Sequence, residues 1–181
     1  MKKVIVLMFD NVEELEAIAP IDFLIRAKAD VCLASLTDNL QVVGRSGIAI
    51  TCNSLFADKK DEKFDMVIVP GGPGTNLVAS NRDVLEFVKR QYENGAVVGA
   101  ICAAPVVLKE AGILNGKLCT AHTSRIAELE NCTTNEAVVV DGNVITSQGA
   151  GTAVEFGLAL VEKLFSTECA KEVEISTCFM R

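Results

Sequence analysis

The sequence predicts an α/β fold in which helices cover both faces of a mostly parallel β-sheet. Short β-rich apolar runs alternate along the chain with longer segments of helical periodicity, and such alternation is typical of parallel sheets. The first run, residues 3–9, is continuously apolar, as expected of a strand that is buried on both faces. With 181 residues, 50% of them hydrophobic, the chain is long enough for one well-filled core, so we expect a single domain at 1–181.

The first half of the chain carries four predicted strands and two predicted helices. Residues 13–27 have apolar side chains at helical spacing, namely Leu15, Ile18, Ala19 and Ile25. The run at 64–70 ends at Pro70-Gly71-Gly72, a turn signal. Strands are predicted at 3–9, 30–36, 47–52 and 64–70, and helices at 13–27 and 82–93.

The second half continues the alternation. An Asp141-Gly142 turn lies between two apolar runs in residues 136–147, which predicts a hairpin. The helix predicted at 151–165 has one apolar stripe, made of Val154, Leu158, Val161 and Phe165. Further strands are predicted at 96–101 and 117–121, and a helix at 103–111. Residues 166–181 are compatible with a helix packed on the core and equally with a partly mobile tail.

Charge and hydropathy exclude several classes of function. The net charge is −7, and no basic cluster offsets it, so we expect no affinity for nucleic acid or for an anionic membrane. No apolar run approaches the ~20 residues that span a bilayer. The apolar run after the basic start is only six residues long and lacks a cleavage site, so it is unlike a signal peptide. We expect a soluble, cytoplasmic protein.

The cysteines do not form a disulfide framework. There are seven, an odd number at irregular spacing without a C-x-x-C pair, which indicates free thiols in a reducing compartment. Cys119 and His122 form C-x-x-H, but no second ligand pair is present, so we expect no metal site.

Three candidate functional positions follow predicted strands. Glu16 lies beyond the first strand, Gly71-Gly72 beyond the strand at 64–70, and Cys102 beyond the strand at 96–101. Since the carboxyl ends of parallel strands lie on one rim of the sheet, these residues are expected to converge there.

Cys102 stands among small residues, in the sequence AICAA at 100–104. A nucleophile elbow needs such residues, because the sharp turn from strand to helix leaves no room for larger ones. Amides at the start of the helix would stabilise the reactive thiolate. A buried cysteine acting as a small hydrophobe explains the pattern equally well, and this structural role is favoured for the other six.

The remaining candidates have structural alternatives as well. Glu16 is followed by Ala17-Ile18-Ala19-Pro20, an apolar setting that would raise its pKa, although a solvated helix start is also compatible. Gly71-Gly72 is either a plain turn or a source of amides for a developing oxyanion. His122 is the only histidine in the chain, and a lone histidine is more often structural.

Four segments together resemble the ThiJ/PfpI superfamily, and in particular its parkinsonism-associated DJ-1 branch with bacterial relatives. They occur in the family's order and span nearly the whole chain: EELEAIAPID at 13–22, FDMVIVPGG at 64–72, GAICAAPVVL at 99–108 and TSQGAGTAVEFGLALVE at 146–162.

The resemblance implies a flavodoxin-like three-layer sandwich, usually homodimeric. By motif position, it makes Cys102 the nucleophile at the elbow and Glu16 the acid that hydrogen-bonds to it. Gly72 and Ala103 match the backbone amides of the pocket, and His122 matches a nearby histidine. Two departures are Thr123, where relatives often have proline, and the loop Gly149-Ala150-Gly151 in place of G-P-G. By the same resemblance, Cys52 lies near the dimer interface.

The resemblance also implies a set of activities. The leading hypothesis is a cofactor-free, glutathione-independent glyoxalase or protein deglycase that acts on methylglyoxal, glyoxal or early glycation adducts during carbonyl and oxidative stress. The alternative is a redox-sensing chaperone in which Cys102 is oxidised to sulfinic acid. A catalytically silent dimeric domain is a third hypothesis. A cysteine peptidase is disfavoured, because that branch has histidine where this chain has Ala103.

Overall fold

The structure is a computed structural model that describes residues 1–179. The strands are β1 (Lys3–Met8), β2 (Asp30–Ser35), β3 (Gln41–Val43), β4 (Ala49–Thr51), β5 (Ser54–Leu55), β6 (Met66–Val69), β7 (Val97–Ile101), β8 (Cys119–Thr120), β9 (Cys132–Thr133), β10 (Val138–Asp141) and β11 (Val144–Ser147). The helices are α1 (Glu14–Arg26), α2 (Phe56–Lys59), α3 (Thr75–Ser80), α4 (Arg82–Glu93), α5 (Pro105–Glu110), α6 (Ala153–Leu164) and α7 (Thr167–Ser176). Short 3₁₀ helices lie at Thr123–Glu128 and Ala150–Thr152.

The central sheet has seven strands in the order β10-β11-β7-β6-β1-β2-β5. All neighbours are parallel except the hairpin β10–β11. Helices α1 and α6 pack together on one face, while α3, α4 and α5 pack together on the other. The fold is therefore the three-layer α/β sandwich that the sequence predicts.

Sequence and local structure agree closely for the central strands. The side chains of β6 and β7 are all buried, as are those of β1 after its first residue, which explains their continuous apolar runs. Helix α4 begins where the side chain of Asn81 accepts a hydrogen bond from the amide of Val84 at 3.3 Å, a standard N-cap. The predicted hairpin is confirmed, with its turn at Gly142-Asn143.

Two predicted strands differ from the prediction. The segment 47–52 contributes only β4, which pairs with β3 in a separate two-stranded hairpin, and the edge of the main sheet is formed by β5 instead. The segment 117–121 contributes only β8, which pairs with β9 in a small parallel sheet. Apolar content alone does not specify the pairing partner of such short strands.

The apolar stripes of two helices also differ from expectation. In α1, Leu15, Ile18 and Ile25 are exposed, and the buried face carries Glu14 and Glu16 among apolar residues. In α6 the fully buried side chains include Phe156 and Leu160, whereas Val154 is only half-buried. Both helices are present; the stripe predicted for α1 does not give its buried face, whereas the stripe predicted for α6 gives part of it, since Leu158 and Val161 are fully buried.

The tail is largely helical. Helix α7 is capped by the Ser166 side chain, which accepts a hydrogen bond from the amide of Cys169 at 3.2 Å, and it buries Ala170 and Val173. The open prediction for 166–181 is thus settled in favour of a packed helix up to Ser176, while 180–181 lie outside the described residues. None of the helices in residues 1–179 is both long and apolar enough to cross a bilayer.

Candidate active site

Cys102 lies on a strained turn between β7 and α5. Its φ is 65°, a left-handed value that is uncommon for a residue other than glycine. Hydrogen bonds fix its peptide groups on both sides: its amide donates to the Ser147 carbonyl at 2.9 Å, and its carbonyl accepts from the His122 amide at 2.9 Å. This is the geometry of a nucleophile elbow, and the thiol is half-buried.

Glu16 reaches the same point from the first turn of α1. Its side chain is 1% exposed, and its Oε2 accepts a hydrogen bond from the Gly71 amide at 3.0 Å. A Cβ on Gly71 would lie 2.5 Å from Glu16 Oε2 and 2.6 Å from Cys102 Cβ. Only glycine therefore fits between the acid and the cysteine, and the three predicted segments do converge on one rim.

The electrostatics of the acid and the thiol are coupled. Burial raises the pKa of Glu16 from 4.5 to about 7. Burial also raises the pKa of the Cys102 thiol to about 12, and the charge of ionised Glu16 and its hydrogen bond to the sulfur add to that rise. The hydrogen bond from the Cys102 thiol lowers the pKa of Glu16, whereas ionised Glu16 opposes ionisation of the thiol, so the pair carries at most one negative charge near neutral pH. The sulfur holds that charge only when Glu16 keeps its proton and donates it in a hydrogen bond.

Two backbone amides stabilise a charge on the sulfur. The amides of Ala103 and Gly72 donate hydrogen bonds to Cys102 and lower the pKa of the thiol, although burial outweighs them. Gly72 has a φ of 111°, and a Cβ there would lie 2.4 Å from the Asn11 carbonyl oxygen. The expectation that helix amides face the sulfur needs correction, since α5 begins only at Pro105 and the amides belong to the turns.

His122 lies at the rim and its side chain is exposed. Its Nδ1 accepts a hydrogen bond from the Ser124 amide at 3.3 Å and is 2.8 Å from the Ser124 hydroxyl, so in the neutral ring the proton resides on Nε2. A Cβ on Gly149 would lie 3.7 Å from both His122 Cδ2 and Glu16 Oε1. The histidine and the acid therefore border the same glycine.

Three further residues contribute to the site, and the sequence does not predict their part in it. Ser147 is the last residue of β11 and Gly149 lies just beyond it, and β11 is the parallel neighbour of β7. Arg45, on the β3–β4 hairpin, forms an ion pair with Glu13 at 3.1 Å, and the charges of Glu13 and Arg45 act in opposite directions on the pKa of Glu16. No pattern in the sequence indicates that the hairpin folds back onto the start of α1.

A cysteine on a strained elbow beside a buried acid defines a class of α/β proteins with a thiol at a strand-to-helix elbow. The chain belongs to the DJ-1/PfpI family, whose model matches residues 2–163.

Relatives and solved structures agree with this assignment. Protein DJ-1 homolog B of Arabidopsis thaliana is 37% identical over 97% of this chain, which spans only 41% of that relative's length. Glutathione-independent glyoxalase DJR-1.2 of Caenorhabditis elegans is 35% identical over 88% of this chain and 86% of the relative. The structure of oxidized DJ-1 from Toxoplasma gondii matches with a TM-score of 0.96 and 29% identity, covering 100% of both chains.

Proposed function

We propose that this protein is a glutathione-independent glyoxalase that converts methylglyoxal or glyoxal to the corresponding hydroxy acid, with related deglycase activity on early glycation adducts. The observation that carries the proposal is the Glu16–Cys102 pair. A buried acid with a pKa of about 7 can both give and take a proton at neutral pH, and it is hydrogen-bonded to the one thiol held on a strained elbow.

The proposed reaction begins when the Cys102 sulfur adds to the aldehyde carbon of methylglyoxal, giving a hemithioacetal. Removal of the proton from that carbon gives an enediol, and protonation of the neighbouring carbon gives a lactoyl thioester. Water then releases lactate and restores the thiol, so the net change is the addition of one water molecule. Glu16 carries the protons, with His122 as a second candidate, and the Gly72 and Ala103 amides stabilise negative charge. Addition and proton transfer require no metal or organic cofactor.

Two further observations support this assignment. A relative that is 35% identical bears the name glutathione-independent glyoxalase. The residue after the nucleophile is Ala103, which offers no histidine to a peptidase mechanism.

The test is lactate production from methylglyoxal in the absence of glutathione. Wild type and Cys102→Ala are compared at equal concentrations of folded protein, with Cys169→Ser as a matched control that removes a half-buried thiol on α7. We expect turnover in the wild type and the control and none in Cys102→Ala. Equal turnover in all three proteins would show that Cys102 is not the nucleophile.

A second function, oxidation sensing with chaperone activity, is favoured by the similarity to a structure described as oxidized. Here Cys102 would be converted to the sulfinate, to which protonated Glu16 would donate a hydrogen bond. Intact mass after mild peroxide treatment distinguishes the two functions when read beside the lactate assay. Oxidation to the sulfinate adds two oxygens, a gain of about 32 Da. The sensor function would be supported if the wild type shows this gain but forms no lactate, and if Cys102→Ala does not show the gain.

We also propose that the protein is a homodimer, built on an apolar patch made of Leu15, Ile18, Ile25 and Ile48. These side chains are 43–56% exposed. The Arg45–Glu13 ion pair and a 2.8 Å hydrogen bond from the Ser46 amide to Glu14 hold the β3–β4 hairpin, which carries Ile48 on its connecting turn, against α1. Exposed apolar surface of this kind marks interfaces.

Light scattering after size exclusion tests the dimer. We expect Ile18→Asp to be monomeric, and Ile175→Asp, a matched change at a 78% exposed position on α7, to remain dimeric. A monomeric wild type at micromolar concentration would contradict the proposal.

We further propose a cytoplasmic location, since seven free thiols suit a reducing compartment.

A further inference from the structure

Two cysteines away from the candidate active-site pair lie side by side on the small sheet β8–β9. Cys119 and Cys132 are register partners on these parallel strands, and neighbouring strands lie about 4.8 Å apart. That spacing falls within the Cα separations of about 4.4–6.8 Å that a disulfide accepts. The two thiols are also within hydrogen-bonding reach of each other.

The backbone around this pair is held in place. The Cys119 amide donates to the Asn131 carbonyl at 3.2 Å, and the Thr120 hydroxyl donates to the Thr133 carbonyl at 2.8 Å. The Thr120 amide in turn donates to the Thr146 hydroxyl on β11 at 2.9 Å. The two sulfurs therefore stay in register, so little chain entropy remains to be lost when they join.

The two thiols differ in access to solvent. Cys119 is fully buried, whereas Cys132 is half-buried. Burial raises the pKa of the Cys119 thiol to about 12, and the adjacent Cys132 adds to that rise. An oxidant from solution therefore meets Cys132 first, and Cys119 is placed to react second.

We propose that Cys119 and Cys132 form a dithiol site that hydrogen peroxide converts to an intrachain disulfide, independently of Cys102. The Cys132 thiolate attacks one peroxide oxygen; an S–O bond forms, the O–O bond breaks, and the departing hydroxide takes up a proton as water. The Cys119 sulfur then attacks the sulfur of the Cys132 sulfenic acid. An S–S bond forms, the S–O bond breaks, and a second water leaves with the proton of Cys119. Two electrons pass from the sulfurs to the peroxide.

The site lies beside the candidate active site along the chain. Strand β8 leads directly through Ala121 to His122, whose amide donates to the Cys102 carbonyl. A disulfide would tie β9 to the strand that supports this contact. We expect the disulfide to raise the thermal midpoint of the oxidised protein, because it restricts the unfolded chain.

The test is peptide mapping of the full chain in the Cys102→Ala background, which removes the competing thiol. The protein is treated with hydrogen peroxide, remaining thiols are blocked with N-ethylmaleimide, and the chain is digested with trypsin without reduction. Cleavage after Lys117, Arg125 and Lys163 gives peptides 118–125 and 126–163, each with a single cysteine. We expect these two peptides to be linked, 2 Da lighter than their sum, and to separate after dithiothreitol.

Matched variants identify the linkage. Cys132→Ser, at a half-buried position, is expected to abolish the linked peptide, while Cys169→Ser, also half-buried, is expected to retain it. Peptides that carry N-ethylmaleimide on both cysteines after peroxide treatment, or Cys132 found as sulfinic acid with Cys119 free, would overturn the proposal.

Discussion

Replacing Glu16 by glutamine should stabilise the protein at alkaline pH although it removes a proposed proton carrier. The unfolded carboxyl has a pKa of 4.5, whereas burial raises the folded value to about 7. Between these values the folded chain retains a proton that the unfolded chain releases, so the stability of the wild type falls as the pH rises through this window. Glutamine fills the same space without titrating.

The size of the effect follows from the pKa difference. At 1.36 kcal/mol per pH unit, the difference between 4.5 and about 7 corresponds to about 3 kcal/mol once the pH exceeds both values. About 2 kcal/mol of this develops between pH 5.5 and pH 8. Urea unfolding of wild type and Glu16→Gln at these two pH values measures it, and the variant's midpoint should gain about 1 M relative to the wild type. An advantage of the variant that is the same at both pH values would refute the reasoning.

Glu14 provides a matched control two positions earlier on the same helix. Burial alone would raise its pKa, but backbone hydrogen bonds, including the one from the Ser46 amide, outweigh burial and lower it below 4.5. A lowered pKa contributes stability that is fully present above pH 4.5 and is lost only as the pH falls below it. Glu14→Gln should therefore reduce stability by the same amount at pH 5.5 and pH 8.

Three further predictions concern the elbow, the core and the rim. Gly72→Ala places a Cβ 2.4 Å from the Asn11 carbonyl oxygen at a φ of 111°. It should lower the free energy of unfolding by about 1–3 kcal/mol or more, and an unchanged urea midpoint would contradict this. Phe156→Ala leaves a cavity at a fully buried position against β7. It should lower the free energy of unfolding by about 3–5 kcal/mol in the same urea assay. A loss below about 1 kcal/mol would place Phe156 outside the core. His122→Gln should lower the kcat for lactate formation by less than about tenfold, against about 100-fold or more for Glu16→Gln, and the reverse order would make His122 the main proton carrier.

The central sheet could be predicted from the sequence because β1, β6 and β7 are buried on both faces, and burial of that kind leaves a continuous apolar run. No such continuous run predicts the pairing of β4 and β8. These strands are two or three residues long and pair outside the main sheet, so their partners depend on tertiary contacts that no local pattern encodes.

Helix α1 shows a different limit. Three large apolar side chains, Leu15, Ile18 and Ile25, face outward, and two acids lie among the apolar residues of its buried face, which departs from the usual amphipathic pattern. Such departures are expected where function competes with packing. Cys102 and Glu16 could be found because strand ends converge on one rim, whereas the Arg45–Glu13 contact could not, because it depends on how the β3–β4 hairpin packs.

The most direct test of the central account follows the proton in the product. Methylglyoxal is incubated in D₂O without glutathione, and the lactate is examined by NMR for deuterium at C2. If Cys102 forms the hemithioacetal and Glu16 exchanges its proton with solvent, the wild type should give lactate deuterated at C2, and Cys102→Ala should give no lactate. Lactate formed by Cys102→Ala at the rate of the wild type would contradict the account, whereas protium at C2 of the wild-type product would mean that Glu16 returns the abstracted proton before it exchanges with solvent.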